Sequence, residues 1–185
     1  MVYSQSQIVY FWKPEGLDGY LGQWYPSKFT WTPPGNKEVL RYDNAEQFMM
    51  HRKALLFAPD DPITETILSP DSPSPHPAEL RCLGRQIPNF SDSTWGQNRY
   101  QIVVEGNYLK FTQNPDLKAQ LLATGDCELV EASPRDRIWG VGFSAKNAPA
   151  RRANWGMNLL GKALMEVRER IRKEEEEAGV DETKD

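Results

Sequence analysis

Glu46 and Lys53, in the run from Tyr42 to Phe57, are spaced for chemistry on one face of a helix. Their seven-residue separation is two helical turns, about 10 Å along the axis, and both side chains are long enough to converge on one small ligand. Met50 and Phe57 fall on the same stripe, so the pair shares its face with apolar groups. A lysine in such surroundings loses its proton near neutral pH and becomes a nucleophile that forms a Schiff base with a sugar aldehyde. The glutamate would orient the ligand or move protons. The same spacing also suits a solvated helix surface, where most charged side chains sit.

Asp136 and the segment Trp139-Gly140-Val141-Gly142-Phe143 place an acid, an indole and two glycines close together. Indole offers a flat surface to a base, and glycine lets backbone approach a ligand closely. A tryptophan beside glycine in a strand serves core packing equally well, and two glycines are too few for a phosphate-binding fingerprint. Trp95 and Arg99, at i and i+4 of an expected helix, present either a stacking surface beside a phosphate-seeking cation or a packed ring beside a surface ion pair. Asn158 and Gly161 open the last expected helix, whose first amides suit an anion such as a ribose phosphate, with Arg151 and Arg152 just ahead. A solvated basic pair is the plainer account of those arginines. His51 and His76 have no second His or Cys at ligand spacing, so neither a metal site nor a cofactor is expected. No Gly-x-Ser-x-Gly elbow or P-loop occurs.

The elements that must position these groups are short and well punctuated. Ile8 to Trp12 and Lys28 to Trp31 read as strands joined by a loop rich in Gly, Tyr and Trp, with Gly16 to Tyr25 a candidate pocket wall. Asn44 caps the Glu46/Lys53 helix, with Gln47 in capping-box position, and Pro59 ends it near Ala58. Asp61-Pro62 starts a short helix that stops before Pro70, and helical pattern resumes over Ala78 to Leu83 with Gly84 as the stop. Ser93 or Thr94 starts a helix that the pair Gly106-Asn107 should interrupt or kink. Asn114-Pro115 then caps Asp116 to Thr124, closed by Gly125. Glu128 to Ala132 and Ile138 to Phe143 read as strands flanking the turn Ser133-Pro134-Arg135-Asp136. Met157, Leu160, Leu164, Val167 and Ile171 form one apolar stripe of a final helix, and the stripe stops beyond Arg172.

A chain of 185 residues with 39% hydrophobic and 11% aromatic content reads as one globular domain with a single substantial core. Its net charge of -4 gives no global positive field, which argues against duplex nucleic acid as the main partner. Cys82 and Cys127 lack CxxC spacing, and the N-terminus lacks a charged region followed by an apolar stretch, so a reducing cytoplasmic or nuclear setting is expected. The sequon Asn89-Phe90-Ser91 then reads as a chance match. No apolar run approaches the roughly 18 residues of a membrane span, and no membrane partner is expected.

Taken in order, the segments resemble the YbiA-like family, or NADAR superfamily, from about Tyr10 to Arg170. Those segments are Asn44-Ala-Glu46 continuing to Lys53, Leu83-Gly-Arg85, Trp95 to Arg99, Lys110-Phe-Thr-Gln-Asn114, Leu121 to Gly125, Glu131 to Asp136, Trp139 to Gly142, and Asn158-Leu-Leu-Gly161 leading into Leu164-Met-Glu-Val-Arg168. Each is weak alone, and their serial order carries the resemblance. It implies a helix-dominated α+β fold with a few short strands, one YbiA-like domain over residues 1–172, followed by a charged, flexible tail over 173–185. It implies an N-glycosidase of ribosyl phosphates, such as the ribosylaminopyrimidine phosphates of early riboflavin synthesis. Alternatives are removal of ADP-ribose from guanine in nucleic acid, and a non-catalytic module that binds ADP-ribose or NAD. The resemblance also implies Glu46, Lys53 and Asp136 as catalytic groups, with Trp95, Arg99, Trp139, Gly140 and Asn158 binding substrate. Where the family often has Ser-Asn-Phe, this chain has Gly22-Gln23-Trp24, a departure that bears on substrate identity.

Overall fold

The computed structural model of the chain describes residues 8–69 and 74–181. Among them helix dominates and strands are short, as in the α+β class. Contacts gather into two compact units, one formed by Gln23–Asn114 and the other by Met1–Gly22 together with Pro115–Asp185.

The Gln23–Asn114 unit begins with β2 (Phe29–Trp31), which pairs antiparallel with β3 (Leu40–Tyr42) so that Phe29 faces Tyr42. Four aromatic rings close over this ribbon. Phe29 stacks on Tyr42 at 5.5 Å, and Phe48 of α1 (Ala45–Phe57) meets Tyr42 and Trp31 edge-on at 5.1 and 5.7 Å. The start of α1 follows from its cap. Asn44 accepts from the Gln47 amide, and the Gln47 side chain accepts from the Asp43 amide rather than closing a reciprocal box with Asn44. Asp61 caps α2 (Pro62–Leu68), and α3 (Pro77–Leu83) ends at Gly84, as the punctuation of the sequence indicates.

Helix α4 (Asp92–Thr112) corrects one expectation, because it runs through Gly106-Asn107 without a break. A Cβ at Gly106 would lie 2.6 Å from the Phe48 ring, so glycine is there to let α4 close on α1. The Asn107 amide is absorbed by Val103 O at 2.8 Å and Gln23 Oε1 at 2.9 Å, both within the unit.

In the other unit β1 (Ile8–Phe11) lies parallel to β4 (Glu128–Glu131), in register Ile8 to Glu128. The strand runs flanking the Gly16 to Tyr25 loop therefore belong to separate sheets. Within that loop Gly19–Leu21 forms a buried 3-10 turn. Helix α6 (Leu159–Asp181) buries Leu160, Leu164, Val167 and Ile171, the expected stripe. Arg168 is buried among them, donating to Thr124 Oγ1 at 2.7 Å and Cys127 O at 3.0 Å, which ties α6 to the turn after α5 (Pro115–Ala123). Met157 is not part of the stripe. It precedes the helix and is half exposed. Beyond Arg172 the charged segment stays helical to Asp181 with exposed side chains through Gly179, and the rest of the expected tail, 182–185, lies outside the described residues.

Ile138 to Phe143 is not a strand. Asp136 Oδ1 accepts from the amides of Ile138 and Trp139, both at 2.8 Å, and Gly142 adopts φ +80°. The loop's carbonyls at 138, 139 and 140 turn instead to the amides of Leu159, Leu160 and Asn158. One link to β4 survives, from Val141 N to Glu131 O.

The two glycines of α4, one exposed and one packed, give opposite expectations. A Cβ added at Gly96 would have nothing within 4 Å, so Gly96→Ala should raise stability by about 0.5–1 kcal/mol through helix propensity. Gly106→Ala should lower it by about 1–3 kcal/mol by driving α4 off Phe48. Urea midpoints of the two variants, measured against the unaltered chain, should move in opposite directions.

Candidate active site

In the Gln23–Asn114 unit the site grows from α1. Glu46 sits in its first turn, where the positive end of the helix favours a carboxylate, and it is 5% exposed. Its amide donates to Gln23 O at 3.0 Å, so Gln23 anchors the start of α1. One turn on, the Met50 side chain fills the space at Gly84 where a Cβ would come within 2.2 Å of its sulfur. Two turns on, Lys53 Nζ donates to Gly84 O at 2.5 Å. Gly84 thus receives the stripe twice, through packing at Met50 and through its carbonyl at Lys53.

Two rings flank the Lys53 amine, Phe90 at 4.2 Å and Trp95 at 5.7 Å from their centroids. Burial among them pushes the amine below its ordinary value, and the Asp92 carboxylate at the start of α4 pulls the other way. Stacked rings also favour the ammonium form. The lysine is half-buried, with burial lowering its pKa and Asp92 opposing that shift. Arg99 follows Trp95 one turn later on α4, partly exposed.

The other unit holds the remaining expected residues. Asp136 and Trp139 share one turn, in which the carboxylate orders the backbone that carries the indole. Gly140 is buried against β4, where a Cβ would meet Glu131 O at 2.6 Å. Asn158 is 5% exposed at φ +50°, and its amide is spent on β4: Oδ1 accepts from Glu131 N at 3.0 Å and Nδ2 donates to Leu129 O at 2.9 Å. The first amides of α6 are likewise taken. Leu159 N and Leu160 N both reach carbonyls of the Trp139 loop at 3.1 Å, which overturns the expected anion site there. Arg152 is paired with Glu128 at 2.7 Å and stacks on Trp155.

Sequence reasoning missed Phe90 as a site residue, and Gly84 entered as a helix stop and within the segment Leu83-Gly-Arg85 but not as a partner of Lys53. Phe90 follows the Pro88-Asn89 turn and precedes the Ser91 cap of α4, a position where an aromatic has no periodic role and so carries a weak signal of its own. Among the described residues no cluster of three or more His, Cys, Asp or Glu side chains could hold a metal, and no helix is long and apolar enough to cross a membrane.

Residues 10–172 match the NADAR domain family. The chain is 44% identical over 149 residues to N-glycosidase R617 of Acanthamoeba polyphaga mimivirus, covering 80% of this chain and 84% of that protein. It is 30% identical to the riboflavin biosynthesis protein VVA0006 of Vibrio vulnificus, covering 90% of this chain and 39% of that longer protein. The NMR structure of the Escherichia coli protein YbiA superposes with a TM-score of 0.72 at 25% identity, covering 94% of this chain and 90% of that one.

Two buried bases in the same unit set a pH expectation. His51, on α1, is 2% exposed with Nδ1 2.9 Å from the Tyr42 hydroxyl, and burial lowers its pKa to about 4. Lys110, on α4, is fully buried between the Tyr25 and Phe111 rings, and burial lowers it to about 7. Both folded values lie below the unfolded ones of 6.5 and 10.5, so the unfolded chain binds protons first as pH falls. Stability should therefore drop by about 3 kcal/mol between pH 6.5 and 4 on account of His51, and should rise between pH 7 and 10.5 on account of Lys110. Thermal melts across that range should show both slopes, the lower one flattened in His51→Gln and the upper one in Lys110→Met.

Proposed function

The chain belongs to the NADAR domain family, and on that premise we propose that it is an N-glycosidase that cleaves the bond between C1 of a ribosyl phosphate and its nitrogen-linked base, with Lys53 as the nucleophile. One observation carries the reading. A half-buried amine, lowered by burial and aimed by a backbone carbonyl, sits between two aromatic rings on the helix that also carries a buried carboxylate. Relatives named as N-glycosidases and as riboflavin biosynthesis proteins support the same bond and a ribosylaminopyrimidine phosphate as substrate.

The chemistry runs through an imine. The N-riboside opens as its C1–O4 bond breaks and the ring oxygen takes up a proton, leaving C1 doubly bonded to the base nitrogen as an iminium, and neutral Lys53 adds to C1 through its lone pair. A proton passes from the lysine nitrogen to the base nitrogen, with Glu46 as the shuttle, and the base leaves as the free amine. Water then adds to the lysine imine and breaks it, returning Lys53 and free ribose phosphate. Loss of a proton by the amine is the gate to the first step, which is where burial of Lys53 helps.

Trp95 is the second ring beside the reacting amine and Arg99 follows it one turn later on α4, and the proposal gives them stacking and phosphate binding. Asp136 is proposed as a second carboxylate and Trp139 as a stacking surface on the strength of the family resemblance. Gly140 and Asn158 act as positioning residues in this proposal, since their contacts hold the Trp139 loop on β4.

The test is borohydride trapping during turnover of a ribosylaminopyrimidine phosphate, followed by peptide mass spectrometry. The adduct should map to Lys53, vanish in Lys53→Arg together with turnover, and persist at reduced rate in Glu46→Gln, whose turnover should fall about 10²–10⁴-fold. Turnover with no adduct, or an adduct on Lys110 alone, would discard the mechanism. Running ADP-ribosylated guanosine beside the pyrimidine substrate fixes the leaving base, because release of ADP-ribose alone would reassign the substrate class.

A further inference from the structure

Phe90 is 41% exposed, and among the described Phe, Tyr and Trp residues of its unit it is the most open to solvent. Phe29, Trp31, Tyr42, Phe48 and Phe111 of the same unit are buried, and Trp24, Tyr25, Phe57, Trp95, Tyr100 and Tyr108 are partly buried. Exposure of a phenyl ring costs apolar burial, about 1.5–3 kcal/mol for a full side chain, and local structure holds the ring out instead of letting it collapse. Asn89 adopts φ +57°, in the left-handed region, and its amide makes a long bond of 3.5 Å to Phe57 O. Phe57, at the end of α1, meets Phe90 edge-on at 5.2 Å, and Ser91 then caps α4. The ring is pinned on both sides in sequence and braced by a third residue.

Its place relative to Lys53 gives the exposed face a purpose. Nζ lies 4.2 Å from the Phe90 centroid, and an attacking amine must come within about 3–3.5 Å of the carbon it attacks. The base to be expelled is bonded directly to that carbon. A ring bonded to that carbon can therefore reach the Phe90 ring at the roughly 4.5–7 Å separation at which aromatic pairs stack. Resting on the reading of Lys53 as the nucleophile, we propose that Phe90 is the platform on which the leaving base stacks, so that this site selects planar heteroaromatic leaving groups. Trp95, 5.7 Å from the amine, is the second ring beside it. A lysine that needed only a lowered pKa would be served as well by aliphatic neighbours, whereas a flat, partly exposed ring matches a flat ligand.

The experiment separates base recognition from amine chemistry with two probes. The first is the free aminopyrimidine base as a product inhibitor, together with KM for its ribosyl phosphate. The second is ribose 5-phosphate, which has an aldehyde and no base, trapped on Lys53 by borohydride. In Phe90→Leu, which keeps apolar volume and removes the π face, the inhibition constant and KM should rise about threefold to tenfold, with ribose 5-phosphate trapping retained or faster, because the ring that favours the ammonium form is gone. Phe90→Trp should restore both constants. Unchanged constants in Phe90→Leu with trapping intact would overturn the platform and leave the nucleophile standing. A fall in ribose 5-phosphate trapping equal to the loss of base binding would also overturn it, since the ring would then serve the amine alone. Failure of the unaltered protein to form any Lys53 adduct would overturn the underlying reading instead.

Discussion

Helix α1 is buried at seven successive positions from Ala45 to His51, and that burial governs what surrounds it. A helix with one wet face can turn or slide at small cost, but one enclosed on every side must find a partner for each polar group it takes inside. Gln47 is satisfied by the carbonyls of Ile67 and Leu68 and by the Asp43 amide. His51 is met by the Tyr42 hydroxyl. These bonds bring the end of α2 and strand β3 to fixed places around α1, and Phe48 against Gly106 does the same for α4. The position of Lys53 follows from the sum of these restraints, since its own tether to Gly84 would orient an amine only if the helix beneath it could not move.

Much of this unit is legible in the chain because its boundaries are written in local chemistry. Asn44, Asp61 and the stop at Gly84 act within a few residues of where they stand, so the helices they delimit can be read without knowing the fold. The face shared by Glu46, Met50 and Lys53 is likewise a matter of helical period. Gly106 misleads for the opposite reason. Its meaning lies in a ring 58 positions away in the chain, and a local reading sees a weak helix former where the fold needs an absent side chain. The aromatic neighbours of Lys53 and its acceptor, 31 residues distant, are invisible to any argument from spacing.

The loop from Asp136 to Phe143 shows how one side chain can override a strand pattern. Ile138, Val141 and Phe143 have the composition of a strand, but the Asp136 carboxylate captures two successive amides and bends the chain before a ladder can form. The freed carbonyls are then used to cap α6, and the Asn158 amide completes the joint by bonding to both Leu129 and Glu131 on β4. Loop, strand and helix start are thus one hydrogen-bonded assembly. A residue such as Asn158, which resembles a ligand-binding group when seen in sequence, has both its donor and its acceptor engaged in holding that assembly together.

Two lysines in the Gln23–Asn114 unit are lowered by burial, and the comparison between them shows what a reactive amine requires. Lys110 is the more strongly shifted, to about 7, and on pKa alone it would be the better nucleophile. It is also wholly enclosed, so no carbon of a sugar phosphate can approach its nitrogen along the line of the lone pair without opening the core. Lys53 is shifted less because it is half-buried and because Asp92 opposes the shift. That same partial exposure leaves a path to the amine, flanked by Phe90 and Trp95. Nucleophilic catalysis depends on the product of the neutral fraction and the frequency of productive approach. A group with a favourable pKa and no approach contributes nothing, so accessibility supports the proposal of Lys53 over Lys110, whose shift follows from its burial in the core.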